Sequence, residues 1–546
     1  MRSLKTRRVT AVSDTLSPVP DALLCSALAT DLDAADFRSE PLRRLWGEEA
    51  DDALARGMRE PILRAIAGDE GVLATLGRLF VLGMPQPRDA VARALTQLGA
   101  DGLAGLGLAV VDADVVRPAA LLRPQSFVDA DGIGEWWIAS DLDEVALDGP
   151  LPADHVLGVG GASRTLAEIV MPIEVDRALD LGTGCGIQAL LVARHAASVV
   201  ATDISARALA YAELNALVNG VHNIEFRLGS MFAPVDGEAF DLVVSNPPFV
   251  ITPRAEGVPE YEYRDGGLVG DALVEQFVRT VPDYLTAGGV AQLLGNWESR
   301  TTEPVPGRAE REDGRSGTGG SGLDRLASWV ADDIDLWAIQ REELSPLGYA
   351  ELWIRDGGTT PRDAAFTPLL TAWLDDFESR GVTAVGFGYL LLRRPPARET
   401  SQMSRFEGEN VTSVKSREPL RRVERMPQPV SNVGGALRQG LAAYDLLADS
   451  GLPATLVTAP DVTEARHLLP GNDDPSVIEL RQGGGFGRTI GVDSALAAFV
   501  GACDGELTVV QIVAALADIF EVPLADLWAD LEPRIRRLVL DGMLLA

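Results

Sequence analysis

The sequence ALDLGTGCGI, residues 178–187, places a glycine-rich turn between a short apolar run and a helical pattern. Glycines let a backbone turn sharply and approach a ligand, and the first turn of a helix offers free N–H groups. The third glycine of this turn follows the second by two residues, whereas the nicotinamide fingerprint requires three. The stretch therefore predicts an α/β sheet that binds a ligand other than a nicotinamide nucleotide at this turn.

Apolar, strand-like runs alternate with helical patterns through the middle of the chain. The runs are residues 177–181, 198–202, 224–227, 240–244 and 289–294. Strands separated by helices form parallel sheets with helices on both faces, and ligands bind at the carboxyl ends of such strands. We therefore expect the polar residues that follow these runs to lie near one another.

Residues with suitable chemistry lie at or shortly after the ends of the first three runs. Asp180 precedes the glycine turn, where it can accept hydrogen bonds from an ammonium group, and Asp203 ends the second run. A carboxylate at the end of a second strand can accept both hydroxyls of a ribose. Ile204 and Met231 offer apolar surface to an adenine, and Ser230 offers a hydroxyl. Together they predict a site for an adenosine that carries an amino acid.

The tetrapeptide Asn246-Pro247-Pro248-Phe249 follows the fourth run. Amide and exocyclic amine nitrogens are weak nucleophiles because their lone pairs are delocalised, so an enzyme must favour the transition state in which the lone pair faces the electrophile. The Asn246 side-chain oxygen and the Pro247 carbonyl can accept the two N–H bonds of such a nitrogen. The prolines restrict φ, and Phe249 can stack on a flat group. The motif therefore predicts a binding site for a planar nitrogen.

With these motifs in this order, residues 155–300 resemble the class I S-adenosylmethionine-dependent methyltransferases that carry an NPP(Y/F) motif, and are most similar to the release-factor glutamine methyltransferases. The resemblance implies an α/β, doubly wound, mainly parallel sheet of seven strands and S-adenosyl-L-methionine as cofactor. It implies that Asn246 and Pro247 are catalytic and bind the acceptor together with Pro248 and Phe249. The implied cofactor-binding residues are Asp180, Gly182, Thr183, Gly184, Cys185, Gly186, Asp203, Ile204, Ser230, Met231 and Asn246.

Three departures from the family pattern leave the acceptor open. Ser230 stands where the family commonly has Asp, and Phe249 stands where glutamine-directed members have Tyr. Phe is common in base-directed members, but Val250 replaces the histidine that often follows their motif. We expect methylation of a glutamine side chain in a translation factor or ribosomal protein, with an exocyclic base amine of rRNA, tRNA or DNA as the alternative. A third hypothesis is a catalytically inactive regulatory protein that binds the cofactor.

The composition is typical of a globular intracellular protein. The 546 residues are 46% hydrophobic and carry a formal net charge of −32, which disfavours binding of polyanions through a general positive field. Cys25, Cys185 and Cys503 match no disulfide or zinc spacing, and no stretch approaches the ~20 apolar residues of a membrane span. We therefore expect a cytoplasmic enzyme that acts on a protein or on RNA/DNA and has neither a metal nor a membrane as partner.

Periodicity and composition divide the chain into five predicted segments. They are an N-terminal helical, winged-helix-like domain (20–125), a short β-rich connector (126–165), a methyltransferase domain (166–394) with a disordered insertion (303–322), a disordered linker (395–429), and a C-terminal helical, winged-helix-like domain (430–546). The linker is the most basic region after the N-terminus. We expect it to be a tether rather than an arm that binds nucleic acid.

Overall fold

The structure is a computed structural model that describes residues 16–129, 132–147, 151–259, 261, 264–301, 320–396, 417–426 and 433–546. The chain folds as two units. Unit 1 comprises Met1–Ser163, Val175–Leu273 and Ser345–Gly381, and unit 2 comprises Arg164–Glu174, Val274–Leu344 and Val382–Ala546. The chain therefore passes several times from one unit to the other.

The first part of the chain is mainly helical and ends in β-hairpins. Its elements are α1 (Ala22–Ala34), α2 (Ser39–Trp46), α3 (Glu48–Leu54), α4 (Glu60–Ala65), α5 (Val72–Leu76), β1 (Gln86–Pro87), α6 (Arg88–Ala94), α7 (Gly99–Gly105), β2 (Ala109–Val111), β3 (Val115–Pro118), β4 (Ala120–Asp129), β5 (Gly132–Asp141) and α8 (Glu144–Leu147). A π-helical turn at Gly77–Val81 continues α5.

Strands and helices alternate in the middle of the chain. The elements are α9 (Gly161–Ile169), β6 (Val175–Leu181), α10 (Ile187–Val192), β7 (Ala196–Asp203), α11 (Ala206–Val218), β8 (Ile224–Leu228), β9 (Phe240–Ser245), α12 (Ala272–Thr280), β10 (Leu285–Arg300), α13 (Gly322–Trp329), β11 (Asp335–Leu344), α14 (Pro346–Asp356), α15 (Phe366–Ser379) and β12 (Val382–Arg393).

The last part of the chain combines a long helix, short strands and a helical end. Its elements are β13 (Arg421–Arg425), α16 (Val433–Asp449), β14 (Thr455–Thr458), β15 (Val462–Leu468), β16 (Pro475–Gln482), β17 (Thr489–Val492), α17 (Ser494–Gly501), β18 (Asp504–Thr508), α18 (Val509–Ile519), α19 (Leu524–Leu540) and β19 (Leu544–Leu545).

Unit 1 contains four parallel strands in the order β9-β6-β7-β8. The central residues of β6, β7 and β9 are apolar and buried, whereas those of β8 are partly exposed. Helices α10 and α11 connect neighbouring strands, as expected for parallel pairing. The strands match the four predicted runs and extend them by at most two residues at either end. The prediction of an α/β fold is therefore confirmed.

Unit 2 contains a mixed set of four strands. Strand β12 pairs antiparallel with both β10 and β11, and β11 pairs parallel with β13. Strands β6 to β12 account for the seven predicted strands, and β13 is one more. It lies in the stretch predicted to be a disordered linker, so that prediction is wrong for residues 417–426.

The basic side chains of this stretch take part in the folded structure. Arg422 is buried and forms ion pairs with Glu424 and Asp541. Arg417 lies 2.8 Å from a carboxylate oxygen of Asp445 and 3.2 Å from one of Asp335. These cations are neutralised within unit 2, which disfavours an arm that binds nucleic acid. Residues 397–416 and 427–432, and most of the predicted insertion (302–319), lie outside the described residues.

One hydrophobic core joins the N-terminal helices of unit 1 to the helices that flank its parallel strands. Phe37 and Phe80 pack edge to face with centroids 6.0 Å apart, and Leu190 and Leu214 belong to the same buried cluster. Hairpin strand β4 also begins before the predicted boundary at residue 125. The N-terminal segment is therefore packed onto the parallel sheet rather than attached to it by a connector.

Asn215 of α11 and Asn219, the residue that ends this helix, hold the edge of hairpin strand β5. The Asn215 side chain accepts from the Ala139 N–H (2.7 Å) and donates to the Ala139 carbonyl (3.0 Å). Asn219 forms the same pair with Trp137, at 2.9 and 2.8 Å. The two asparagines are one helical turn apart, and Trp137 and Ala139 present their backbone groups at the same edge of β5. The asparagine side chains therefore pair with this edge as a neighbouring strand would. The hairpin is thereby fixed to α11.

A buried charged cluster fixes the end of the same strand. The Asp141 carboxylate accepts hydrogen bonds from the Arg207 guanidinium, from the Tyr211 hydroxyl (2.8 Å) and from the Val156 N–H (2.9 Å). His155 lies beside it and burial lowers the pKa of its ring, so the imidazole is neutral near pH 7. This histidine therefore belongs to a structural cluster.

If the N-terminal elements form a winged-helix unit, α7 is the helix that corresponds to its recognition helix. The order is helix α5, strand β1, helices α6 and α7, then the β2–β3 hairpin, with strand order β1-β3-β2. Helix α7, GADGLAG, has no cation, and it packs against α1, where a Cβ on Gly105 would lie 3.0 Å from Leu24. Asp31 of α1 also accepts from the Leu98 N–H just before α7. The winged-helix interpretation stays a prediction.

The C-terminal helices surround a separate core in unit 2. Leu527, Leu531, Ile535 and Leu538 of α19 are buried and pack in one cluster with α17 and α18. The α18 start carries a capping box between Thr508 and Gln511, which satisfies the first backbone donors of that helix. The predicted winged-helix character of this module also stays a prediction.

Cys25, Cys185 and Cys503 are buried free thiols, and burial raises the pKa of Cys25 and of Cys185 to about 11. Within the described ranges no helix is long and apolar enough to cross a membrane. The same residues include no group of three or more His, Cys, Asp or Glu side chains that could hold a metal ion.

Candidate active site

The carboxyl ends of the four parallel strands of unit 1 meet at one edge. Leu181 of β6 pairs with Thr202 of β7 and with Ser245 of β9, and Asp203 pairs with Leu228 of β8. The residues at or directly after these strand ends belong to the predicted motifs. The structure therefore brings the glycine turn, Asp203, residues 229–231 and the NPPF motif to the same edge, as the strand pattern predicted.

The glycine turn has the backbone conformation that its glycines allow. Gly182, Gly184 and Gly186 have φ values of +75°, +55° and +88°, which side chains rarely adopt. A Cβ on Gly186 would lie about 3 Å from Ala212 of α11. A Cβ on Gly182 or Gly184 would meet no described atom within 4 Å, so both glycines border open space. The turn thus presents bare backbone to a ligand.

Asp180 has a carboxylate that is only half satisfied. One oxygen, Oδ2, accepts from the Thr183 hydroxyl at 2.6 Å, whereas the buried Oδ1 has no hydrogen-bond partner among the described residues. The side chain is 1% exposed, and burial raises its pKa from 3.8 to about 7, with the nearby Asp203 acting in the same direction. A cationic ligand group near Oδ1 would satisfy both the hydrogen bond and the charge.

Asp203 is held in place by backbone donors. Its Oδ2 accepts from the Gly184 N–H and its Oδ1 accepts from the Ser205 N–H, both at 2.9 Å. Burial raises the pKa of this carboxyl above its usual value. Each carboxylate oxygen has a second lone pair, so both oxygens keep acceptor capacity for a pair of hydroxyls. The ribose role that the sequence predicted for Asp203 therefore fits its geometry and stays a prediction.

Apolar side chains beside Asp203 are exposed. Ile204 is 62% exposed and Leu228, level with Asp203 on the next strand, is 59% exposed. Met231 is half-buried and has a φ of +49°, and Ser230 is exposed. These residues could cover a flat heterocycle such as adenine, and Leu228 was not predicted. Sequence reasoning missed Leu228 because a single leucine directly after a strand run belongs to no motif.

Cys185 has a structural position in the turn. Its thiol is buried in the core of unit 1, and its carbonyl accepts from the Asn215 side-chain amide at 2.8 Å. Asn215 is itself fully buried and also holds the hairpin at Ala139. The predicted cofactor contact of Cys185 is therefore limited to its backbone. Asn215, which sequence reasoning missed, joins the glycine turn to the N-terminal segment.

The acceptor motif begins where β9 ends. The Ser245 hydroxyl donates to the Leu181 carbonyl at 2.8 Å, which ties the last residue of β9 to the last residue of β6. The next side chain, Asn246, is half-buried, and its Oδ1 is buried with no hydrogen-bond partner in the described part of the chain. Pro247 is buried, whereas Pro248 and Phe249 are half-buried. The motif thus presents an unsatisfied amide oxygen beside the glycine turn.

The residues after the motif are held by segments far along the chain. The Val250 N–H donates to the Arg264 carbonyl at 2.9 Å, and the Ile251 N–H donates to the Tyr349 hydroxyl at 3.1 Å. Arg254 forms a bidentate pair with Asp265, one arm of which is 2.9 Å long. Sequence reasoning missed Tyr349, because its helix lies nearly a hundred residues downstream and carries no motif.

The residues at this edge fit S-adenosylmethionine on grounds of their own chemistry. The orphaned Asp180 oxygen suits an ammonium, the bare glycines suit close approach of a ligand, and Asp203 suits two hydroxyls. Together with the parallel sheet and the acceptor motif, they define a class I methyltransferase domain.

Comparison with known proteins identifies the family. Residues 158–303 match the methyltransferase small domain, and residues 34–119 match a domain of unknown function, DUF7059. A protein of Methanocaldococcus jannaschii, provisionally named a protein N5-glutamine methyltransferase, is 35% identical over 135 residues, which are 24% of this chain and 68% of the relative. The chain therefore belongs to the methyltransferase small domain family.

Two bacterial relatives match the same region. A ribosomal protein uL3 glutamine methyltransferase of Bradyrhizobium diazoefficiens is 34% identical over 161 residues, which are 27% of this chain and 49% of the relative. A release factor glutamine methyltransferase of Xylella fastidiosa is 38% identical over 130 residues, which are 22% of this chain and 47% of the relative. The chain spans about half the length of these two relatives.

Proposed function

We propose that this protein is an S-adenosylmethionine-dependent N-methyltransferase that methylates the side-chain amide of a glutamine in a protein of translation. The observation that carries the proposal is the unsatisfied Asn246 Oδ1, which lies next to the glycine turn and beside a proline-restricted carbonyl. A buried acceptor without a donor is costly unless a ligand supplies the donor. An amide NH₂ group supplies two donors.

The NPPF residues act on the acceptor nitrogen by binding and orienting it. Asn246 Oδ1 and the Pro247 carbonyl accept its two N–H bonds, which sets the plane of the amide and directs its lone pair away from that plane. Accepting both hydrogens also stabilises the positive charge that develops on nitrogen during transfer. Phe249 contributes a flat apolar surface against the amide. No strong base is needed before transfer, in keeping with the structural position of His155.

S-adenosylmethionine, when bound, supplies a methyl group on a sulfonium, which is electrophilic enough for a weak nucleophile. Asp180 would hold its ammonium, Asp203 its ribose hydroxyls, and Ile204 with Met231 its adenine. The backbone of the turn at Gly182, Thr183, Gly184, Cys185 and Gly186 would follow the amino-acid portion, and Ser230 and Asn246 complete the predicted set. The glycines keep side chains out of that part of the site, so a ligand can approach the backbone closely.

Several features favour a protein acceptor in the cytoplasm over nucleic acid. The net charge of −32 opposes approach of a polyanion, helix α7 is uncharged apart from Asp101, and Arg417 and Arg422 are neutralised by carboxylates. The Bradyrhizobium and Xylella relatives are named for glutamine methylation of ribosomal protein uL3 and of a release factor. The half-buried Phe249 ring, which could stack on a base, keeps methylation of an exocyclic base amine as a second candidate.

The test uses cofactor labelled in its methyl group and three separate acceptors: a release factor, ribosomal protein uL3 and deproteinised ribosomal RNA from the source organism. The expected result is label in a protein, lost on protease digestion and mapped to one glutamine by tandem mass spectrometry. Label in RNA alone, lost on nuclease digestion, would establish the second candidate instead. Tight cofactor binding by calorimetry without label in any acceptor would overturn the proposal in favour of a regulatory protein.

A further inference from the structure

Helices α14 and α15 interrupt a pair of antiparallel strands. Strands β11 and β12 pair from Asp335↔Arg393 to Leu344↔Val385, so a tight turn after Leu344 could join them. The chain instead leaves unit 2 at Ser345, contributes residues 345–381 to unit 1, and returns. Ordering a segment of this length costs conformational entropy, although the sheet does not require these residues. We therefore expect the segment to have a role that offsets this cost.

The first contact of this helix pair is with the acceptor loop, which comprises the NPPF motif and the residues that follow it (246–254). The Tyr349 hydroxyl accepts a hydrogen bond from the Ile251 N–H at 3.1 Å, and both residues are buried. The Tyr349 ring packs among Trp353, Trp373 and Phe377, with centroids 5.9 to 6.1 Å away. The aromatic cluster leaves the ring little freedom, so the hydroxyl is held at a defined position.

A second contact reaches the same loop through Arg264. Its guanidinium donates to Asp356 Oδ2 at 2.8 Å and to the Trp353 carbonyl at 3.3 Å, both at the end of α14. Its own carbonyl accepts from the Val250 N–H at 2.9 Å. The pair with Asp356 is partly exposed on the aspartate side, so its packing and geometry matter more than its charge. Two consecutive amides after the NPPF motif are thus tied, directly or through Arg264, to α14.

We propose that helices α14 and α15 form a buttress for the acceptor loop, and that Tyr349 is a positioning residue for methyl transfer. The inference rests on the proposed transfer to a planar nitrogen bound at Asn246. In the proposed reaction, Asn246 and Pro247 contact the acceptor nitrogen. The residues that follow the motif fix the orientation of these two residues. Transfer to a weak nucleophile depends on alignment, so a small shift of this loop reduces the rate without affecting the glycine turn.

The test is Tyr349→Phe, which keeps the aromatic packing and removes the acceptor of the Ile251 N–H. The matched control is Tyr444→Phe in unit 2, where the lost hydroxyl donates to the Glu418 carbonyl. For Tyr349→Phe we expect kcat to fall about tenfold, the effect of one hydrogen bond on alignment, while the KM for acceptor and the cofactor Kd stay unchanged. Tyr444→Phe should leave kcat unchanged.

Hydrogen exchange followed by mass spectrometry makes the test independent of turnover. In Tyr349→Phe the amide of Ile251 should exchange faster than in wild type, with the glycine turn unaffected, and Tyr444→Phe should leave that amide protected. Unchanged protection of Ile251, or a loss of cofactor affinity that parallels the loss of kcat, would overturn the proposal. If wild type transfers no methyl group to any acceptor, the proposed function fails, and the exchange result alone decides whether Tyr349 holds the loop.

Discussion

The two sides of the candidate active site are built in different ways. On the cofactor side, Thr183 donates to Asp180 three residues away, and Gly184 donates to Asp203 nineteen residues away. On the acceptor side, Ile251 donates to Tyr349, ninety-eight residues away. The cofactor side is a local product of two strands and the turn between them, whereas the acceptor side depends on an inserted helix pair. The acceptor side therefore depends on a segment that is distant in the sequence, and we expect this side to determine which substrate binds.

The separation has a physical consequence for substitutions. Asp180 and Asp203 are linked to each other and to the glycine turn, whereas the NPPF loop is braced by Arg264 and Tyr349. A hydrogen bond from the Ser245 hydroxyl to the Leu181 carbonyl joins the two sides within the sheet. Substitutions on one side should therefore alter one ligand's binding or chemistry and leave the other largely intact.

The largest expected effect is that of Asn246→Ala on transfer. The substitution removes one of two acceptors of the planar nitrogen, and loss of a preorganised polar contact of this kind lowers kcat by about 100-fold or more. The cofactor Kd should stay close to the wild-type value, because the glycine turn and both acidic residues are untouched. Single-turnover transfer with labelled cofactor and calorimetry with unlabelled cofactor measure the two quantities.

Asn223→Ala is the matched control for this prediction. The Asn223 amide donates to the carbonyls of Ala193 and Ala196, so its loss tests what removal of a structural amide does in the same unit. It should lower the melting temperature without reducing kcat. If Asn246→Ala weakened the cofactor as much as it slowed transfer, the two sides would not be separable and the acceptor role of Asn246 would be wrong.

Much of the cofactor side was predictable from the sequence because its information is local. Strand runs of five residues, glycines two apart and an acid at each strand end place Asp180, Asp203 and the turn in a single pattern. The pairing of Leu181 with Thr202 and Ser245 then follows from parallel topology. The structure confirms the α/β class, whereas the ligand roles of these residues stay predictions.

The rest depended on contacts between distant segments. Tyr349 sits in an amphipathic helix with no motif, and Asn215 reads as an ordinary helical residue although it joins Cys185 to Ala139. Arg422 looked like part of a solvated basic tether because composition does not reveal its partner Asp541, more than a hundred residues away. Charge and polarity indicate exposure on average, and a specific buried partner reverses that expectation.

An intermediate effect is expected for Asp180→Asn on cofactor binding. Loss of a buried charged partner for an ammonium should weaken the cofactor by about 30-fold or more at pH 8. Because burial raises the pKa of Asp180 to about 7, wild type should also lose affinity as the pH falls below 7, by up to about tenfold per unit. The variant should lack the part of this dependence that comes from Asp180. Calorimetry at pH 6 and pH 8 measures both.

The same substitution should have the opposite effect on the stability of the protein without cofactor. The folded-state pKa of Asp180 is raised above the ordinary 3.8, so the free energy of unfolding declines as the pH rises from about 4 through about 7. Asp180→Asn removes this charge, so it should be more stable than wild type at pH 8 and similar at pH 4. Urea unfolding checks the sign, and a variant that is less stable at pH 8 would contradict a desolvated Asp180.

The smallest expected effects distinguish Asn215 from Asn219, the residue that ends α11, because Asn215 donates to the Cys185 carbonyl on the cofactor side. Asn219→Ala breaks the pair with Trp137 and should reduce the free energy of unfolding by about 1–3 kcal/mol while leaving cofactor affinity unchanged. Asn215→Ala should destabilise to a similar extent and also weaken the cofactor by a few fold, because the Cys185 carbonyl loses its donor. Urea unfolding and calorimetry on both variants give the comparison. Equal cofactor affinity in the two variants would mean that the glycine turn keeps its shape without Asn215, and that the N-terminal segment contributes stability alone.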